Sequence, residues 1–145
     1  MIMMGSVARY LDMDKLYNWA GAAAGAVVGL LGGWDAGLNV LAVCMALDYV
    51  TGVLAAVKGK RLSSNVGFWG LLRKGVIFLV VMLAAQLDAA MGQEAVCRTA
   101  AILFYIANEA VSMTENAAKL GVPVPGKILD VLEQLKKDDA GDTTE

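Results

Sequence analysis

The sequence predicts an all-α membrane protein with about four transmembrane helices and a short amphipathic C-terminal cytoplasmic helix. Two observations carry that reading. The first is composition: 58% of the 145 residues are hydrophobic, 18% are charged, and the mean hydropathy is +0.59. A water-soluble chain this short has too much surface for its volume to hide so much apolar material. The second is the clumping of charge. Leu16 to Trp34 and Gly75 to Leu87 carry no charge at all, and such runs reach or approach the length that crosses hydrocarbon.

Taken in order, residues 1–15 form a polar N-terminal arm with scattered methionines. A cleaved secretory signal is not expected, because Trp34-Asp35 is a poor cleavage context for the apolar run that precedes it. The first span covers about 16–33, with Tyr17 and Trp19 at one edge and Trp34 at the other, as aromatic residues prefer at the headgroup boundary. Asp35, Gly37 and Asn39 read as a tight turn, and a second span covers about 38–57. A basic interfacial loop follows, with Lys58, Lys60, Arg61, Ser64, Gly67, Arg73 and Lys74 as its marker residues. The third span covers about 75–91, and Gly92, Gln93 and Glu94 make a second short turn. The fourth covers about 96–118, with Tyr105, Asn108, Glu109, Ser112, Glu115, Asn116 and Lys119 on one side. Ile102, Ile106, Ala110, Met113 and Ala117 lie on another. That pattern suits a span with one side on lipid, or a helix lying flat at the surface. Pro123 and Pro125 then break the helix. Residues 119–145 read as a cytoplasmic amphipathic helix, with Ile128, Leu132 and Leu135 on its apolar face, and a disordered acidic tail.

Positive charge orients the spans. Arg9 and Lys15, then Lys58, Lys60, Arg61, Arg73 and Lys74, then Lys119, Lys127, Lys136 and Lys137 all fall on one side of a four-span chain. Only Arg98 is left for the other side. Both termini are therefore expected in the cytoplasm, since lysine and arginine accumulate there.

Two sets of residues stand out within the spans. Gly21, Gly25, Gly29 and Gly33 repeat every four residues along one helix face, where glycine lets another backbone approach; Gly52 joins them as a packing position. The partner is either another span of the chain or another copy. Asp48, Asp88 and Glu109 are intramembrane acids, expected at similar depth. A carboxylate there costs on the order of 3 kcal/mol to insert, so it faces protein, water or a pathway.

No catalytic constellation is visible. The chain has no histidine and no Cys-x-x-Cys, which argues against a zinc site, and Cys44 and Cys97 read as small hydrophobes. An intramembrane aspartyl protease would pair a Tyr-Asp with a Gly-x-Gly-Asp, but here Tyr49 follows Asp48 and Asp88 sits in Ala-Gln-Leu-Asp. No enzyme, metal, cofactor or nucleic-acid partner is expected.

The stretch Leu47–Asp88 carries a combination of features: Leu47-Asp48-x-x-x-Gly52, a Lys58 to Gly67 loop rich in basic residues and serine, Arg73-Lys74 opening the next span, and a closing Leu87-Asp88. It resembles the toxin-secretion/phage-lysis holin family. The resemblance implies accumulation in the bacterial cytoplasmic (inner) membrane, homo-oligomerisation, and a timed pore that exports a phage endolysin or a toxin. In a phage it implies lysis of the host cell; whether an antiholin exists as an inhibitory partner is left open by the sequence. Asp48, Gly52, Ser64, Gly67, Lys74 and Asp88 match the family pattern, and no catalytic residue comes with it. A small ion or solute channel or transporter subunit and a structural membrane adaptor are the competing classes. Met3, Met4 and Met13 raise a second start that would drop Arg9.

In a variant lacking Cys44 and Cys97, single cysteines at positions 61 and 140 should resist impermeant thiol reagents applied to intact cells and react once the membrane is opened. Labelling from outside at either position would remove the four-span orientation.

Overall fold

The computed structural model describes residues 3–131 and 134. Four helices follow one another: α1 (Met3–Leu30), α2 (Ala36–Lys58), α3 (Ser64–Met91) and α4 (Val96–Leu120). Residues 126–131 start a further helical segment; the remainder of the expected C-terminal helix and the acidic tail lie outside the described residues. The helices run alternately up and down, so α2 and α4 are parallel and α3 is antiparallel to both.

All four helices stop in the same way. A residue one or two positions past each end, Gly32, Lys60, Gly92 or Gly121, has a positive φ. The next N–H then reaches back five residues: Gly33 to Val28, Arg61 to Ala56, Gln93 to Asp88, and Val122 to Ala117. This left-handed closure satisfies carbonyls that a helix end leaves orphaned. It also keeps the turns short, which forces adjacent helices into antiparallel directions.

The closest packing is between helices that are not consecutive. α4 packs along the length of α2 and also against α3, whereas α2 and α3 barely touch. Small residues permit the approach: a Cβ on Gly37 would stand 3.4 Å from Ile102, and one on Gly52 would stand 3.4 Å from the Asn116 amide. The apolar core comprises Leu31, Leu38, Leu41, Met45, Ile77, Val81 and Ile102. On α2 its members recur at three- and four-residue spacing. The opposite face of α2, however, exposes Val40, Val43, Leu47, Val50, Leu54 and Val57 at the same spacing. A helix apolar on both faces needs hydrocarbon on the side its neighbours do not cover.

Several expectations need correction. Among the described residues, two helices, not four, are long and apolar enough to cross a bilayer: Ala36–Lys58 and the Gly67–Met91 part of α3. α1 and α4 fall short for different reasons. α1 runs from Met3, so residues 3–15, read as an arm, are part of the helix, and it ends at Leu30, which leaves a charge-free stretch of only residues 16–30. α4 carries its charges along its length. The basic loop is much shorter than expected, because only residues 59–63 separate α2 from α3. Ser64, Gly67, Arg73 and Lys74 are helical, and the Ser63 carbonyl accepts the Gly67 N–H at 3.3 Å to open the helix. Serine, read there as part of a loop, marks a helix start instead. The turn between α1 and α2 likewise ends at Asp35, and Gly37 and Asn39 are already helical. On α4, Ile102 belongs to the core and Leu103 and Phe104 face outward, so the apolar side lies elsewhere than expected.

At the α1/α2 turn, the Asp35 carboxylate accepts the Leu38 N–H at 2.9 Å, capping α2, and meets the Arg98 guanidinium at 2.6 Å. Arg98, then the Leu38 N–H, hold its carboxyl below the ordinary aspartate value. A depressed carboxyl contributes stability that is complete above its unfolded pKa, about 3.9, and is lost as pH falls through the folded value. The difference in thermal stability between the wild type and Asp35→Asn in detergent should therefore be constant near neutrality and shrink below about pH 4. A difference that stays flat through acid pH would separate Asp35 from Arg98.

Candidate functional site: an ionic layer between three helices

The buried stripes of the three packed helices each contain charged residues in line with the core. On α2 the stripe runs Leu38, Leu41, Met45, Asp48, Gly52. On α3 it runs Lys74, Ile77, Val81, Ala84, Asp88, and on α4 Arg98, Ile102, Tyr105, Glu109, Ser112, Asn116. Because the helices are packed, these charges fall into two layers, one on either side of the apolar core.

The first layer lies at the end where α4 begins. The residue before α4, Ala95, has no side chain that caps the helix. Asp88, three residues from the end of α3, supplies the cap: its two oxygens accept the Cys97 and Arg98 N–H groups, each at 2.8 Å. A carboxylate at a helix N-terminus meets both free donors and a favourable dipole. Arg98 is 6% exposed, and each of its three guanidinium nitrogens donates a hydrogen bond. It donates to the Leu31 carbonyl at 2.6 Å, the Gly33 carbonyl at 2.9 Å and Asp35 at 2.6 Å. A Cβ on Gly32 would stand 3.1 Å from the Arg98 side chain, so the turn is glycine for space as well as for its φ of +79°. The Gln86 amide adds a bond to the Leu30 carbonyl at 3.0 Å. All four helices are thus tied at this end.

The second layer lies within the bundle. Lys74 sits between Asp48, at 2.8 Å, and Glu109, with which it makes a close ion pair. Asn116 donates to the other Asp48 oxygen at 3.1 Å. Their side chains are only 10–15% exposed. At about 1.5 Å per residue, Asp48 lies roughly 18 Å from the start of α2 and roughly 15 Å from its end. Glu109 is similarly central on α4, so this layer stands near the middle of α2 and α4. With all three groups ionised it holds one positive and two negative charges. A cavity of about 480 Å³ adjoins it, lined by Tyr49, Tyr105, Asn108 and Ser112 among others. Among the described residues no buried side-chain polar atom lacks a hydrogen bond, and no group of three or more His, Cys, Asp or Glu residues is placed to hold a metal ion.

The three acids expected at similar depth therefore separate. Asp48 and Glu109 meet at one cation, whereas Asp88 belongs to the opposite layer, because α3 runs on well past the core to cap α4. Lys74, assigned to an interfacial loop, is the centre of the ionic layer. Arg98 was passed over, although a lone arginine outside the positive-inside tally was its signal. The glycine register meets no other span: a Cβ on Gly21, Gly25 or Gly29 would find nothing within 4 Å, and Gly33 sits in the turn with a φ of +96°. Gly52, by contrast, lies at the α2/α4 contact. Lys58, Lys60 and Arg61 stand at the far end of α2, and Ser64, Gly67 and Arg73 begin α3.

The fold and its paired internal charges define a small helical membrane protein. The chain matches the bacteriophage holin family model over residues 25–137 and belongs to that family. It is 42% identical over 101 residues to a probable holin of Bacillus phage phi105, covering 70% of this chain and 75% of that one. It is 43% identical over 126 residues to an uncharacterized 14.9 kDa protein from the nagH 3' region of Clostridium perfringens, covering 86% and 88% of the two chains. An uncharacterized protein of Halalkalibacterium halodurans is 36% identical over 134 residues, covering 88% and 99%. No solved structure matches the chain.

Removing Lys74 would leave two carboxylates facing each other in a poorly solvated site, whereas removing Asp48 would leave a balanced Lys74–Glu109 pair. Lys74→Met should cost on the order of 3 kcal/mol, and Asp48→Asn distinctly less. Unfolding of the full-length variants in mixed micelles gives the order. Equal losses would show that the layer is not held by charge balance.

Proposed function

We propose that the chain works as a holin proper: it assembles in the cytoplasmic membrane and opens a hole that releases a cell-wall hydrolase or toxin. The observation that carries this reading is the Asp48–Lys74–Glu109 layer. In the bundle its charges satisfy one another, so the chain rests in the membrane without a lumen. In an assembly that parts α2, α3 and α4, the same groups would line water instead. With all three groups ionised, the net single negative charge would give the membrane potential a handle, worth about 2.3 kcal/mol per 100 mV for a charge crossing the full field. No enzymatic step is required of it.

The same reading has all four helices crossing the membrane, with both termini in the cytoplasm. α4 is too polar to cross alone, but Arg98 and Glu109 are buried against the rest of the bundle and Glu115 and Lys119 lie near its end, which makes crossing as part of the bundle acceptable. Among the described residues α1 is anchored at its C-terminal end, and the Gly21, Gly25 and Gly29 face is free. That face supports contact between copies, where small residues allow close helix approach. Asp88 and Gly33 act as structural residues of the Arg98 end rather than in opening or association. The cavity beside the ionic layer favours a second reading, a channel for small ions or solutes.

Co-expression with a cell-wall hydrolase separates the two. Abrupt release of whole cytoplasmic protein is expected for the holin, and ion leakage without protein release for the channel. Asp48→Asn and Glu109→Gln, at equal membrane levels, should shift the time or completeness of release. Gly25→Leu with Gly29→Leu should shorten crosslinked ladders and delay it. Unchanged timing in the acid variants would reduce the ionic layer to a structural role.

A further inference from the structure

Where α2 and α4 end side by side, they enclose a hollow of about 700 Å³ lined by Lys58, Arg61, Lys119 and Asn116, with Gly52, Ala55 and Ala56 as its inner wall. Three cations from three segments converge there, and no acidic side chain lines it. Among the described residues none of the three is in an ion pair. Lys58 lies across the end of α4, its Nζ 3.7 Å from where a Cβ on Gly121 would stand.

Part of this charge has a simple origin. Lys58 and Lys119 each occupy the last turn of a helix, where a cation complements the partial negative charge of the terminus. Arg61 does not fit that account. It lies beyond α2, turned back by the closure in which Lys60, a non-glycine residue, adopts a φ of +54° and the Arg61 N–H reaches the Ala56 carbonyl at 2.9 Å. The backbone accepts an uncommon conformation at Lys60 while a third positive charge is brought to the same hollow. Like charges gathered in this way repel until an anion joins them. Two ammonium groups and one guanidinium fork suit phosphate oxygens, and the amide of Asn116 supplies a neutral partner. The small inner wall leaves the room. Since the α2 span ends at Lys58, the hollow also stands at headgroup level.

We infer that this hollow binds a phosphate anion, and that its position makes the headgroup of an anionic phospholipid the ligand. The inference needs only the membrane-embedded fold, and holds whether or not the chain releases a hydrolase. The test is native mass spectrometry of the full-length protein from micelles holding equal phosphatidylglycerol and phosphatidylcholine. Phosphatidylglycerol should be retained about tenfold over phosphatidylcholine, equivalent to about 1.4 kcal/mol. The double variant Arg61→Gln with Lys119→Gln should lose that preference. Lys15→Gln with Lys127→Gln, which removes the same charge elsewhere, should keep it. Failure of millimolar inorganic phosphate to displace the lipid supports the headgroup; displacement supports the anion site but makes free phosphate its ligand. Equal retention of the two lipids, or equal loss in both double variants, overturns the site.

Discussion

The structure depends on α4 turning its polar stripe inward. α2 and α3 are joined by a short turn yet barely touch along their lengths, and α4 fills the groove between them. It does so with residues that neither lipid nor an apolar core accepts alone. Arg98, Glu109 and Asn116 have no stable place except opposite Asp35, Asp88, Asp48 and Lys74. Each charge taken from water must recover its solvation from a partner at hydrogen-bonding distance. That requirement sets the depth of α4, its rotation and its parallel direction beside α2.

The two charged layers meet the requirement differently. At the Arg98 end, charges are answered mostly by backbone: Asp88 takes two N–H groups and Arg98 takes two carbonyls, in addition to Asp35. Such a layer is built from helix termini and fixes where the helices stop. In the inner layer, charges are answered by other side chains, one cation between two carboxylates. It fixes no helix end and can be exchanged for water without undoing secondary structure. The proposed opening would draw on the second layer, whose charges are adaptable, and leave the first in place.

α1 stands apart from this economy of charge. Among the described residues its hydrogen bonds to the bundle lie at its C-terminal end, where Gln86 of α3 reaches the Leu30 carbonyl and Arg98 of α4 the Leu31 carbonyl. Its glycines at 21, 25 and 29 face open space, unlike Gly52, whose missing side chain lets α2 approach Asn116. One spacing rule thus covers two physical situations, a seam already filled within the chain and a face with no neighbour in it. The basic hollow at the opposite end belongs to neither. It arises where two helices end together and the turn after one folds back over both.

Much of this was determined by the sequence alone. Hydropathy and clumped charge specify helices in a membrane, because a short chain this apolar has no interior large enough to hide it. The Leu47–Asp88 pattern identifies the family. Asp48 and Glu109 are legible as unusual because each interrupts an apolar helix face. What the sequence does not contain is the partner of each charge. Asp88 looks as exceptional as Asp48, but it caps a helix that begins eight residues later, and the cap exists only once α3 and α4 meet. Lys74 looks interfacial until Ser63 is seen to open α3 and carry it a further three turns inward. Whether a glycine repeat is packed, and which cation answers which acid, depend on the rotation of one helix against another. Spacing along a helix says which residues share a face, and tertiary packing alone decides what that face meets.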